Sequence, residues 1–137
     1  MKAIRIESNG EPEVLALTEV ATPEPGPGQV RVRHHAIGVN FIDVYHRTGL
    51  YKIALPGGLG LEAAGVVEAV GANVTRFKQG DRIVYASGPI GAYAEANVIN
   101  ETQAVKLPDA IPFYIAAASL LKGMTARFLL RKTFRVE

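Results

Sequence analysis

The chain has 137 residues, 48% of them hydrophobic and 20% charged, which suits one globular core of ordinary composition. It contains no cysteine, so disulfides and thiolate metal sites are excluded. The formal net charge is only +2, and no uninterrupted apolar run reaches the ~18 residues of a membrane span.

The first segment, Met1-Lys-Ala-Ile-Arg-Ile6, alternates like a strand and lacks the apolar stretch of a signal peptide. A cytoplasmic location follows by default. Val14, Ala16 and Val20 continue the alternation, and Pro23 to Gly28 supplies a turn. Val30, Val32 and Ala36 then alternate with Arg31, Arg33 and His35, the pattern of a half-buried strand. Asn40 is placed to cap a short helix from Phe41 to Arg47. Asp43 stands at its third position and Gly49 just beyond as a stop.

Pro56-Gly-Gly-Leu-Gly60 reads as loop geometry, since no strand leads in and no helix follows. Short strands are expected at Val66-Val67, Arg82–Ala86, Ala92–Val98 and Ala104–Leu107, separated by turns at Gly71–Asn73 and Gln79–Asp81. Pro112 opens a helical region through Leu121; Gly123 is expected to break it, with a further helix from Thr125 to Lys132. Arg127, Arg131, Lys132 and Arg135 are expected to form the solvated face of that last helix. Without aromatic interleaving they do not suggest a nucleic-acid surface. The sum is a mainly β fold with a few helices, a small barrel or sandwich, and no dinucleotide-binding fingerprint.

Three stretches, taken in order, carry a resemblance. They are Ala36-Ile-Gly-Val-Asn-Phe-Ile-Asp-Val-Tyr45 followed by Arg47 to Tyr51, then Gly60-Leu-Glu-Ala-Ala-Gly-Val-Val-Glu-Ala-Val-Gly71 followed by Gly80 to Val84, and finally Ala116 to Ala126. In this spacing the chain resembles the zinc-independent quinone oxidoreductase branch of the medium-chain dehydrogenase/reductase superfamily, over essentially its whole length. The resemblance implies a GroES-like β-barrel over residues 1–110 and a helical connection over 111–137. That connection would lead toward a Rossmann domain beyond Glu137. It further implies NADPH as cofactor, a quinone or α,β-unsaturated carbonyl as substrate, a cytoplasmic homodimer as the full-length protein, and no nucleic-acid or membrane partner. By itself the chain is then expected to be nearly inactive.

Zinc-dependent members of that superfamily place a cysteine near Asn40, a histidine at the position of Leu61 and a cysteine near Lys122, so the resemblance implies no zinc here. His34, His35 and His46 are the only imidazoles, and His34 and His35 should face opposite sides of their strand. The residues expected to carry chemistry are Asn40, Tyr51 and Lys122. Asn40, Asp43, Tyr45, Lys122 and Thr125 are expected to approach the cofactor. Asn40 could instead only cap its helix, Asp43 only stabilise it, and Tyr45 only fill the core. Lys122 could pack its stem and leave its ammonium in water. Glu62, beside the signature position, is read as a structural hydrogen-bonding group. A second overall reading is a standalone binding module, because Leu120, Leu121, Leu129 and Leu130 need burial.

Overall fold

The computed structural model describes residues 1–134. Its eight strands are β1 (Lys2–Ile6), β2 (Ala16–Glu19), β3 (Gln29–Gly38), β4 (Gly57–Gly58), β5 (Glu62–Val70), β6 (Arg82–Tyr85), β7 (Ala96–Asn100) and β8 (Ala104–Lys106). Two helices, α1 (Phe41–Thr48) and α2 (Phe113–Phe128), complete the main elements. Five strands form an antiparallel sheet in the order β7-β3-β5-β6-β8, and three form a second in the order β2-β1-β4. The fold is mainly β, as the alternation indicates.

The core lies where the alternation of β3 points it. Val30 and Val32 are fully buried, and they pack with Val67, Ile83, Tyr85 and Ile99. Each such side chain contributes about 1.5–3 kcal/mol of burial free energy. Only Val66-Val67 of β5 stands out in the sequence, yet the strand runs for nine residues. The reason is double burial. Ala63 faces the main core, whereas Ala64 faces α2 through Ala116 and Ala117. Strands buried on both faces do not alternate.

Two expectations about strands are corrected. The segment Ala92–Val98 is not one strand, because β7 begins only at Ala96. The preceding backbone stitches the two sheets together instead. Ile4 N–H donates to the Tyr93 carbonyl (2.7 Å), Glu95 N–H to the Lys2 carbonyl (3.0 Å) and His34 N–H to the Glu95 carbonyl (2.9 Å). Val14 lies in a one-turn 3-10 helix rather than in β2, and Leu17 on that edge strand is 66% exposed.

A bulge between His34 and Ala36 interrupts the pairing of β3 with β5 and re-aims the side chains around it. His34 turns inward, with Nδ1 donating to the Ala94 carbonyl (2.7 Å) and Nε2 accepting from the Tyr85 hydroxyl (2.9 Å). Burial lowers its pKa below the usual 6.5, so the imidazole is neutral at pH 7 and spent on structure. His35 stacks on Phe113 of α2, with ring centroids 4.6 Å apart.

Gly123 does not break the second helix. α2 runs continuously through it and passes into a wider π-type turn over Leu129–Thr133. The 21-residue rod Phe113–Thr133 contains an 18-residue stretch of mean hydropathy 1.3 and is long and apolar enough, by length and composition, to cross a membrane. The apolar run reaches that length because Lys122 and Arg127 are carried within one helix. Arg127, Arg131 and Lys132 are exposed as expected, and Arg135 lies outside the described residues. Nothing lies within 4 Å of where a Gly123 Cβ would sit. Gly123→Ala is therefore expected to stabilise the chain by about 0.5–1 kcal/mol through helix propensity alone. Thermal denaturation should show a rise of a few degrees, and a fall would contradict this account.

Candidate functional site

Asn40 ends the loop after β3 and starts α1. Its backbone N–H donates to the Asp43 carboxylate (3.0 Å), the N-terminal arrangement expected from the sequence. Gly49, at φ 84°, ends the helix as a left-handed cap. The Asn40 side chain reaches beyond its own helix. It is buried, and its amide N–H donates to Glu62 Oε2 (2.8 Å) while its Oδ1 accepts from Lys122 Nζ (2.8 Å). A carboxylate only accepts and an ammonium only donates, so these two partners fix which way the amide points.

Glu62 opens β5, directly opposite Gly38 in the register of β3 and β5. It is fully buried, and its second oxygen, Oε1, accepts the backbone N–H of Leu121 in the middle of α2 (2.7 Å). Its Oε2 lies 3.8 Å from Lys122 Nζ, and the lysine side chain is 56% exposed. The three groups thus form a chain from a buried carboxylate, through an oriented amide, to a cation at the protein surface.

Asp43 turns inward. Its Oδ2 accepts from Tyr93 Oη (2.8 Å) as well as from Asn40. Its Oδ1 is buried with no partner among the described residues. Burial, and then the Asp43 carboxylate beside it, raise the Tyr93 phenol pKa above its usual value of 10, so Tyr93 acts as a donor here. Its ring lies so close to Gly60 that no Cβ would fit there. A mostly apolar cleft of about 570 Å³ runs past Tyr93, Leu17, Ile37 and Val39, but its lining includes none of Asn40, Glu62 and Lys122.

Residues 26–109 match the family model of the alcohol dehydrogenase GroES-like domain. The chain belongs to that family. A quinone oxidoreductase of Pseudomonas aeruginosa is 55% identical over 137 residues, covering 99% of this chain and 42% of the relative. A crystal structure of the Pseudomonas syringae pv. tomato quinone oxidoreductase superposes with a TM-score of 0.98 at 53% identity, covering 99% of this chain and 42% of that one. The Escherichia coli quinone oxidoreductase complexed with NADPH gives 0.98 at 46% identity, covering 100% and 42%. The likeness to quinone oxidoreductases read from the residues is met, and the chain spans about 42% of the length of the curated quinone oxidoreductases it matches.

The other expected residues fall in two places. Tyr45 and Tyr51 form an edge-to-face pair with centroids 5.3 Å apart, extended by Phe41 and His46. Tyr51 is 50% exposed, and neither hydroxyl has a hydrogen-bond partner among the described residues. Tyr45 stands five residues into α1, about 7 Å along the axis from Asn40. Thr125 lies one turn beyond Lys122 on α2, exposed, with its hydroxyl donating to the Leu121 carbonyl (2.9 Å). Leu61, at the signature position, is half-buried.

The structural hydrogen-bonding group read at Glu62 accepts from Asn40 and Leu121, whereas Tyr93 was not singled out. Glu62 carried a signal, an acid in an otherwise apolar run from Leu61 to Val67, where a buried charge must find partners. Tyr93 carried none, because its bond to Asp43 spans 50 residues.

Proposed function

We propose that this domain is the substrate-side half of an NADPH-dependent, zinc-free oxidoreductase that passes hydride to quinones or α,β-unsaturated carbonyls. The observation that carries the reading is the contact between Asn40 Oδ1 and Lys122 Nζ at 2.8 Å. It places a half-exposed cation beside an amide whose orientation is imposed from within the protein. Residues 1–110 are then the barrel and 111–137 the connection to a nucleotide-binding domain, in a cytoplasmic homodimer.

The donor set suits a nicotinamide cofactor and a flat acceptor better than zinc. Lys122 has three N–H donors, and among the described residues only Asn40 and Glu62 engage it, so a donor remains for an acceptor oxygen. No three His, Cys, Asp or Glu side chains gather among the described residues, and an ammonium beside Asn40 would repel a metal cation.

When bound, the nicotinamide supplies the hydride. Lys122 stabilises the negative charge that develops on the acceptor oxygen, with the Tyr51 hydroxyl as a second donor. The edge-to-face tyrosines offer an apolar wall for a planar ring. Asn40 would help hold the nicotinamide through its remaining amide N–H, and Asp43 acts by fixing the Asn40 backbone. Thr125 extends the polar edge of α2 by one turn.

Ile115, Met124, Phe128, Leu129 and Leu130 are each about half exposed, at several angles around α2 and the turn that follows it, apolar surface that a nucleotide-binding domain would cover. The same surface also favours a second reading, a binding module that docks a partner there. NADPH oxidation with phenanthrenequinone separates the two. The 137-residue chain should show no turnover above buffer, and a longer protein carrying the nucleotide-binding half should turn over readily. Turnover by the chain alone would overturn the division of labour; none in the longer protein would favour the module.

A further inference from the structure

We infer that Glu62 is a positioning residue for the reaction proposed above, acting on Lys122 through Asn40 and on α2 through Leu121. The inference rests on that reading for its catalytic consequence and on geometry alone for its structural one. A mid-helix N–H ordinarily bonds the carbonyl four residues earlier. Here the Leu121 N–H is met by a fully buried side-chain acceptor at 2.7 Å, which competes with that ladder. On the same turn the Ala117 carbonyl oxygen faces Gly38, and a Cβ at Gly38 would collide with it and with the Glu62 carboxylate. The absence of a side chain at Gly38 thus lets α2 and Glu62 meet.

Both oxygens of Glu62 are used, and each sets something different. Oε1 fixes the height of α2 at Leu121, the residue before Lys122. Oε2 takes the Asn40 amide and so turns Oδ1 toward the Lys122 ammonium. If Glu62 only filled space, an isosteric amide would serve equally well. If it acts through its acceptor pattern, an amide fails, because its NH₂ end must face one of two N–H donors.

Three versions of the chain decide the matter: the parent, Glu62→Gln, and the exchange that combines Asn40→Asp with Glu62→Gln. In the exchange, the new amide at position 62 accepts from Leu121 through its carbonyl and donates through its NH₂ to the new carboxylate at position 40. That carboxylate still accepts from Lys122. Every hydrogen bond is regained with no change of net charge. Glu62→Gln is expected to speed hydrogen exchange of the Leu121 amide roughly tenfold or more. It should also raise acetylation of Lys122 relative to the exposed Lys52, read by mass spectrometry. The exchange variant should return both toward the parent and show that the site still folds.

In the longer protein, Glu62→Gln should lower kcat roughly tenfold to hundredfold through misalignment, with the quinone KM little changed. Unchanged Leu121 exchange and Lys122 acetylation would overturn the inference, as would an exchange variant no closer to the parent than Glu62→Gln. A Glu62→Gln protein with faster exchange but parental kcat would make Glu62 structural only, and would also overturn it. Absence of turnover in the parent longer protein would instead reject the proposed activity, leaving the exchange and acetylation results to judge Glu62 by themselves.

Discussion

Gly38→Ala is expected to unfold roughly 10 °C below the parent, or to fail to fold, by a cost of about 3 kcal/mol or more. The reason is contact, not backbone conformation. A methyl group there would run into the Ala117 carbonyl oxygen and the Glu62 carboxylate. Glu62 is fully buried and Gly38 is buried beside it, so neither can swing into solvent. Backing α2 away would pull Ala116 and Ala117 off Ala64, Val84 and Leu107. Moving Glu62 would leave the Leu121 N–H or the Asn40 amide without its acceptor, a penalty of about 1–3 kcal/mol for each buried group. Thermal unfolding followed by circular dichroism measures this directly. A melting point within about 2 °C of the parent would show that α2 does not press on the sheet as described.

Lys122→Met in the longer, cofactor-binding protein is expected to lower kcat/KM by roughly 10²–10³ while leaving the fold almost unchanged. Methionine keeps the apolar stem and removes only the ammonium. The lysine side chain is 56% exposed and its ion pair with Glu62 is long at 3.8 Å, so that pair contributes little, whereas the buried Asn40 Oδ1 loses its donor; stability should fall by about 1–3 kcal/mol. Glu62 keeps its other partners, Asn40 and the Leu121 N–H. Steady-state NADPH oxidation across quinone concentrations gives the comparison. If kcat/KM stays within about twofold of the parent, the ammonium stabilises no developing charge and the proposed role of Lys122 fails.

Much of the scaffold was legible from local pattern. The alternation around Val30 and Val32 marks β3 because side chains on a strand alternate faces. Asn40, Asp43 and Gly49 mark α1 because the unpaired backbone groups at helix ends select those residue types. Ala92–Glu95 was misread, since its alternation matches a strand while its backbone bonds are divided between two sheets. Gly123 was misread because one glycine costs an exposed helix only about 1 kcal/mol, too little to end it.

The sequence by itself determined the strand and helix types, the absence of thiolate ligands, the resemblance that names the family, and a short set of polar residues. Only the tertiary structure decided that Asn40, Glu62 and Lys122 meet, across separations of 22 and 82 residues. That meeting depends on the register that sets Gly38 against Glu62, and on a glycine small enough for α2 to approach. Local propensity encodes neither. It reports which backbone angles a residue prefers, whereas the partner of a buried carboxylate is settled by which strands and helices come to rest beside it.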